Sequence, residues 1–137
     1  MITIPCISAS LRKDSSSYKA LLLAKKQVEL KGGKAILLDL RTMEIPFCNG
    51  SSEYPDYPDV EKIRKIITHS QTLILCSPEY HGCISGVLKN FFDLLNLEHL
   101  EEKLVANITV LGGISNCNAV NAITQICHYL HAWVLPQ

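Results

Sequence analysis

The sequence carries no excess of either charge: thirteen basic side chains are matched by thirteen acidic ones. No basic field is therefore available to attract nucleic acid or a membrane surface, and the expected partners are small molecules or further copies of the chain. No apolar run approaches the length needed to cross a bilayer. The opening, MITIPCISAS, lacks the charged start and longer apolar region of a secretory signal. The six cysteines, Cys6, Cys48, Cys76, Cys83, Cys117 and Cys127, include no C-x-x-C pair, and several sit in apolar runs where a free thiol acts as a small hydrophobe. A reduced, cytoplasmic protein is expected. Neither G-x-x-x-x-G-K-[ST] nor G-x-G-x-x-G occurs, so the two glycine-rich phosphate loops are excluded. With no internal repeat, linker or low-complexity tract, residues 1–137 read as one domain.

What the chain does contain is an alternation of apolar strands and amphipathic helices. ITIPCIS (2–8) reads as a strand, although Pro5 counts against a central one, because proline removes a ladder donor. Tyr18, Leu21, Leu22 and Val28 follow helical spacing from Ser15 to about Lys31, and Gly32-Gly33 stops that helix. KAILLDL (34–40) is a second strand, followed by an irregular stretch from Arg41 to Pro58 that is long enough to suggest a functional or mobile loop. A helix over 59–70 turns Val60, Ile63, Ile66 and Ile67 inward, and QTLILCS (71–77) is the third strand. The third helix runs from about Ser85 to Leu95, LVANITVLG (104–112) is the fourth strand, and 117–131 forms the fourth helix. AWVLPQ begins a fifth strand. This pattern predicts a three-layer α/β sandwich with an open parallel sheet, its strands in the order 2-1-3-4-5 by analogy.

Open parallel sheets bind ligands beyond the carboxyl ends of their strands, where connections diverge to opposite faces. Here that point lies between the first and third strands. The loop after the first, SASLRKDSSSYK (8–19), is rich in serine and carries Arg12 just before a helix. Hydroxyls, exposed helix amides and an arginine are what a phosphate dianion requires. The same serines would also serve as a plain helix cap, and Asp14 must turn its charge away from any phosphate. After the third strand, Pro78-Glu79-Tyr80-His81-Gly82 offers backbone amides with Tyr80 and His81 as walls, and Gly82 permits close approach; a simple strand exit is the other reading. GGISNCN (112–118) adds Gly112 and Gly113 beside the same crevice, where glycines fit a ligand's edge or an ordinary tight turn.

Ala9-Ser10-Leu11-Arg12 with Ser15 and Ser17, then Pro78-Glu79-Tyr80-His81-Gly82-Cys83 with Leu88-Lys89-Asn90, together resemble the NADPH-dependent FMN reductase family of flavodoxin-like proteins. The resemblance runs along essentially the whole chain and includes Gly112-Gly113 and HAWVLP near the end. It implies bound FMN, NADPH or NADH as reductant, and a small-molecule electron acceptor such as a free flavin, quinone, azo compound or metal oxyanion. By position, Ser10, Arg12, Ser15 and Ser17 would hold the phosphate, and Pro78 to Cys83 with Gly112 and Gly113 would line the ring and ribityl chain. The flavin carries the chemistry, so no catalytic side chain is nominated. Four positions depart from the family pattern: Ala9 replaces a glycine, where a methyl could crowd the phosphate, Ser17 and His81 replace asparagines, and Cys83 replaces a serine. His81 is expected at the pocket rim.

Relative to the family, the chain stops just after the start of its fifth strand, without a last helix. That helix would share a sheet face with the first, so apolar side chains of strands three to five are expected to lie open there. Homodimer or homotetramer formation is the expected response. Two other functions fit the same residues: an electron carrier without an NAD(P)H reaction, which the absence of an acidic surface weakens, and a non-catalytic interaction module. His128 and His131 read as a helix-surface pair rather than metal ligands. Phe91 and Phe92 read as core with a possible dimer contact, and Trp133 as a strand residue packed on the sheet.

Overall fold

The computed structural model describes residues 1–113 and 118–136. Strands β1 (Thr3–Ser8), β2 (Lys34–Asp39), β3 (Thr72–Tyr80), β4 (Cys83–Ile84), β5 (Leu104–Val110) and β6 (Trp133–Val134) alternate with helices α1 (Ser16–Leu30), α2 (Pro58–Thr68), α3 (Gly86–Asp93), α4 (Leu97–Leu100) and α5 (Asn118–Tyr129). The parallel sheet has the order β2-β1-β3-β5-β6, with β4 paired antiparallel to β3. Counting only the parallel strands, this is the expected 2-1-3-4-5 order and a flavodoxin-like fold.

Pro5 is accommodated by register. The Ile2 and Ser8 carbonyls bond to β2, whereas the Ala9 amide donates to Cys76 of β3, so the odd-numbered residues of β1 face β3. Pairing with β3 begins only at Cys6, so the missing proline donor faces a position with no ladder to break.

The two faces of the sheet are unequal. On one, Ile7, Leu38, Leu73, Leu75 and Val105 pack with Ile63 and Ile67 of α2, Leu88, Phe91 and Phe92 of α3, and Ile123 and Cys127 of α5. On the other, α1 is the one covering helix among the described residues, burying Leu21 against Cys6 and Cys76, with Ile4, Ala35, Leu37, Ile74 and Ile108 only partly buried. Trp133 is 69% exposed and Leu104 40%, so the apolar side chains of this half do lie partly open. Trp133 is thus not packed on the sheet as expected. Leu22, one of the residues that follow helical spacing in α1, is also exposed, at 38%. Phe91 and Phe92, by contrast, are buried in a T-shaped contact (5.7 Å between centroids), which leaves neither ring for a dimer surface.

The stretch between β2 and α2 is irregular but tied down. Asn90 donates to Pro46 O and accepts from Cys48 N, both at 2.8 Å. Arg64 donates to Leu94 O at 2.9 Å and Ser52 O at 2.7 Å, and Asp59 accepts from Glu44 N at 2.9 Å. These bonds satisfy backbone groups that a long loop would otherwise leave to water. Among the described residues, no helix is long and apolar enough to cross a membrane.

The short helix α4, which the apolar pattern does not announce, is held by a reciprocal cap. Buried His99 accepts a 2.9 Å hydrogen bond from Asn96 N through Nδ1, and Asn96 caps in return. Burial lowers the His99 pKa below its ordinary 6.5, so the unfolded chain takes up the proton first. This contribution to stability is complete above about pH 6.5 and is lost as the pH falls through and below it. Protonation also removes the Nδ1 acceptor. His99→Gln, which keeps a capping acceptor without titrating, should show a shallower fall in melting temperature between neutral pH and about pH 5. Identical slopes in both proteins would assign the acid sensitivity elsewhere.

Candidate functional site

Because β1, β3 and β5 are parallel neighbours, the segments after Ser8, Tyr80 and Val110 emerge at one edge of the sheet. In the first segment Ser10, Ser15 and Ser17 are all buried. Ser15 is the N-cap of α1, accepting from Tyr18 N at 3.1 Å, and its hydroxyl lies 2.8 Å from that of Ser17. Ser10 Oγ accepts from Arg12 N at 3.4 Å. Among the described residues the amides of Ser16 and Ser17 have no acceptor, and the first turn holds no acidic residue, so the positive end of α1 is open to an anion. Ser8 Oγ, buried at the end of β1, has no partner among the described residues. Arg12 is exposed, and its guanidinium makes no hydrogen bond or ion pair among the described residues.

Two features that weigh against an anion in the sequence are neutral in the structure. Asp14 turns outward to Lys19 at 2.6 Å, and this contact holds its pKa below the ordinary carboxylate value. The Ala9 methyl is fully buried in the α2–α3–α5 core and crowds nothing above the sheet. Ala9 N donates to Cys76 O at 2.9 Å, and Ala9 O accepts from Ser85 Oγ at 2.7 Å.

The second segment differs from expectation. The third strand does not stop at Ser77 but runs on through Tyr80, because Glu79 and Tyr80 pair with Ile84 and Cys83. The turn is only His81-Gly82, with φ of 52° and 73°, the left-handed pair typical of a tight β-hairpin. Pro78 is buried, while Tyr80, His81, Gly82 and Cys83 are exposed. The Glu79 carboxylate accepts from Ala119 N at 2.9 Å through Oε2, which ties the hairpin to the start of α5. A Cβ on Gly82 would come within 3.3 Å of Asn118 Nδ2. Gly112 and Gly113 are exposed with open space where a Cβ would lie; residues 114–117 of the same stretch, including Cys117, fall outside the described residues.

Ser85, which sequence reasoning placed only at a helix start, connects the two segments. It caps α3 through Leu88 N, bonds to Ala9 O, and donates its own amide to Ser77 Oγ at 3.2 Å. Beside it lies a groove of ≈ 620 Å³ lined by Leu11, Arg12, Met43, Phe47, Tyr80 and Val87, among others. Burial pushes the thiols of Cys76 and Cys127 up to about 12 and that of Cys6 to about 11, so none is a nucleophile at neutral pH.

The sequence model for the NADPH-dependent FMN reductase family matches residues 2–137. The chain belongs to this family. Among relatives, it is 33% identical over 102 residues to the NADPH azoreductase of Bacillus sp. (strain OY1-2), covering 74% of this chain and 57% of that one. It is 27% identical over 140 residues to the NADPH-dependent FMN reductase ArsH of Shigella flexneri, covering 98% of this chain and 54% of that one. The chain thus spans little more than half the length of these curated relatives. The apo structure of the NADH:FMN oxidoreductase EMOB superposes with a TM-score of 0.88 at 18% identity, over 100% of this chain and 73% of that one. FerB of Paracoccus denitrificans gives 0.87 at 21% identity, over 100% and 76%. At these identities the superpositions establish the fold alone.

Glu79→Ala in this family member leaves the Ala119 amide uncapped and should lower the free energy of unfolding by about 1 kcal/mol, with Glu79→Gln recovering part of it. Urea denaturation reads both; an unchanged midpoint in Glu79→Ala would mean the cap contributes nothing to stability.

Proposed function

We propose that the chain is a single FMN-binding domain of an NAD(P)H-dependent oxidoreductase that passes electrons to a small acceptor. The observation that carries this reading is the open N-terminus of α1. The Ser16 and Ser17 amides and the Arg12 guanidinium, without partners among the described residues, lie with Ser10, Ser15 and Ser17 at the edge shared with the β3–β4 hairpin. This donor set suits a phosphate monoester, and nothing acidic faces it unpaired. Ser10, Arg12, Ser15 and Ser17 would hold the phosphate, and Pro78, Tyr80 to Cys83, Gly112 and Gly113 would flank the ring. Glu79 contributes by fixing the hairpin to α5. Bound FMN supplies two-electron chemistry, with NADPH or NADH as its reductant. The chain's own residues bind and orient; none is assigned a proton transfer. The ≈ 620 Å³ groove beside Arg12 and Tyr80 has room for a small aromatic acceptor such as a quinone, flavin or azo compound.

A homodimer or homotetramer belongs to the same reading, supported by the half-open apolar face around Ile74, Ile108, Leu104 and Trp133. So does a cytoplasmic location, supported by the inert buried thiols of Cys6, Cys76 and Cys127.

The protein purified with added FMN should be yellow, and anaerobic NADPH should bleach it. Bound flavin that only a chemical reductant bleaches would identify an electron carrier, and a colourless protein an interaction module. Cys83, exposed on the hairpin, should react with a thiol reagent several-fold more slowly once FMN is bound. Equal rates with and without FMN would place the ring away from the hairpin.

A further inference from the structure

Arg41 is the residue whose contacts the reading above leaves unused. It stands just beyond β2, the one strand on this side of the switch point that contributes nothing to the proposed phosphate site. Its guanidinium is held in a fork by Asp39, with Nε at 3.0 Å and 3.1 Å from the two carboxylate oxygens and Nη2 at 2.6 Å from Oδ2. The fork lies over the Tyr18 ring at 4.2 Å from its centroid. Both side chains of the pair are largely withdrawn from solvent, 21% and 10% exposed. A guanidinium fixed on one edge by a carboxylate and on one face by an aromatic ring has little freedom left.

The remaining donor, Nη1, reaches across to the β1–α1 segment. It bonds to Arg12 O at 3.2 Å and to Lys13 O at 3.4 Å. Two consecutive carbonyls are thereby turned toward Arg41. Peptide units are planar and trans, so the N–H of the same two units, those of Lys13 and Asp14, point the opposite way. Neither amide has an acceptor among the described residues. In a segment without this contact, the carbonyls would be free to rotate inward and repel an anion.

We propose that Arg41 is a positioning residue for the phosphate site: by holding the Arg12 and Lys13 carbonyls, it leaves the loop amides to the anion. The proposal rests on the FMN reading and adds to it a group that touches neither the phosphate nor the ring. It makes Asp39 and Tyr18 the supports of the device and gives β2 a part in ligand selection. Arg41→Lys keeps the charge but not the fork, and Arg41→Met keeps the stem and loses both.

The test is the ratio of affinities for FMN and riboflavin, which differ only in the phosphate, measured by flavin fluorescence quenching on the full chain stripped of flavin. The parent should prefer FMN. Arg41→Met should lose that preference by about tenfold or more, the loss of a charge-assisted contact set, while riboflavin affinity stays within about twofold. Arg41→Lys should fall between. Melting of the flavin-free proteins accompanies the titrations, because a residue that only staples β2 to α1 would weaken FMN and riboflavin together and leave their ratio unchanged. A parent that prefers FMN and an Arg41→Met variant with the same preference overturns the role of Arg41 alone. A parent that does not discriminate FMN from riboflavin overturns the phosphate site itself and the role of Arg41 with it.

Discussion

Everything above the sheet depends on how the backbone of Ala9 is held. Its amide is claimed by Cys76 of β3 and its carbonyl by the Ser85 hydroxyl that caps α3. Two parallel strands normally diverge at their carboxyl ends, each feeding its own crossover. Here the first residue after β1 is tied to the strand and to the helix that follow the other side of the crevice. The serine-rich segment and the hairpin therefore keep a fixed spacing, and Arg41 and Glu79 extend the same arrangement outward to β2 and α5. Preorganisation of this kind lets a backbone site select a ligand without reordering itself on binding.

Fold and site were legible to different depths. Near-continuous apolar runs and period-3.6 stripes locate the parallel strands and the principal helices, because burial of Ile7, Leu75, Ile63, Leu88 and Ile123 dictates both pattern and structure. The end of β3 was misread at Ser77, since Pro78 and Glu79 read as turn residues, whereas pairing with Ile84 and Cys83 carries the strand to Tyr80. No local signal announces that two-residue partner. Helix α4 was missed for a similar reason: four residues cannot display a period, and its stability comes from the reciprocal Asn96–His99 cap.

At the site, residue types were readable and their partners were not. Serines before a helix were legible as caps or ligands, and the structure shows that Ser15 caps while the first amides stay open. Asp14 and Ala9 looked like obstacles only because sequence gives no direction to a side chain; one turns to Lys19, the other into the core. Glu79 reads as a residue of the loop alone, and the structure adds that its carboxylate caps α5. Arg41 carried no signal beyond following Asp39 at two residues, because its role depends on carbonyls nearly thirty positions away.

The unequal covering of the sheet has a thermodynamic consequence. On the thinner side α1 is the single helix among the described residues, so the element that would receive the anion at its first turn also closes the small core of Cys6, Leu21 and Cys76. An anion that binds only the ordered helix end stabilises that layer by mass action, and fraying of the layer weakens the anion in the same proportion. Local unfolding of α1 and release of the ligand are then two views of one equilibrium. Amide exchange along Ser16–Leu30 would report occupancy at a distance from the ring.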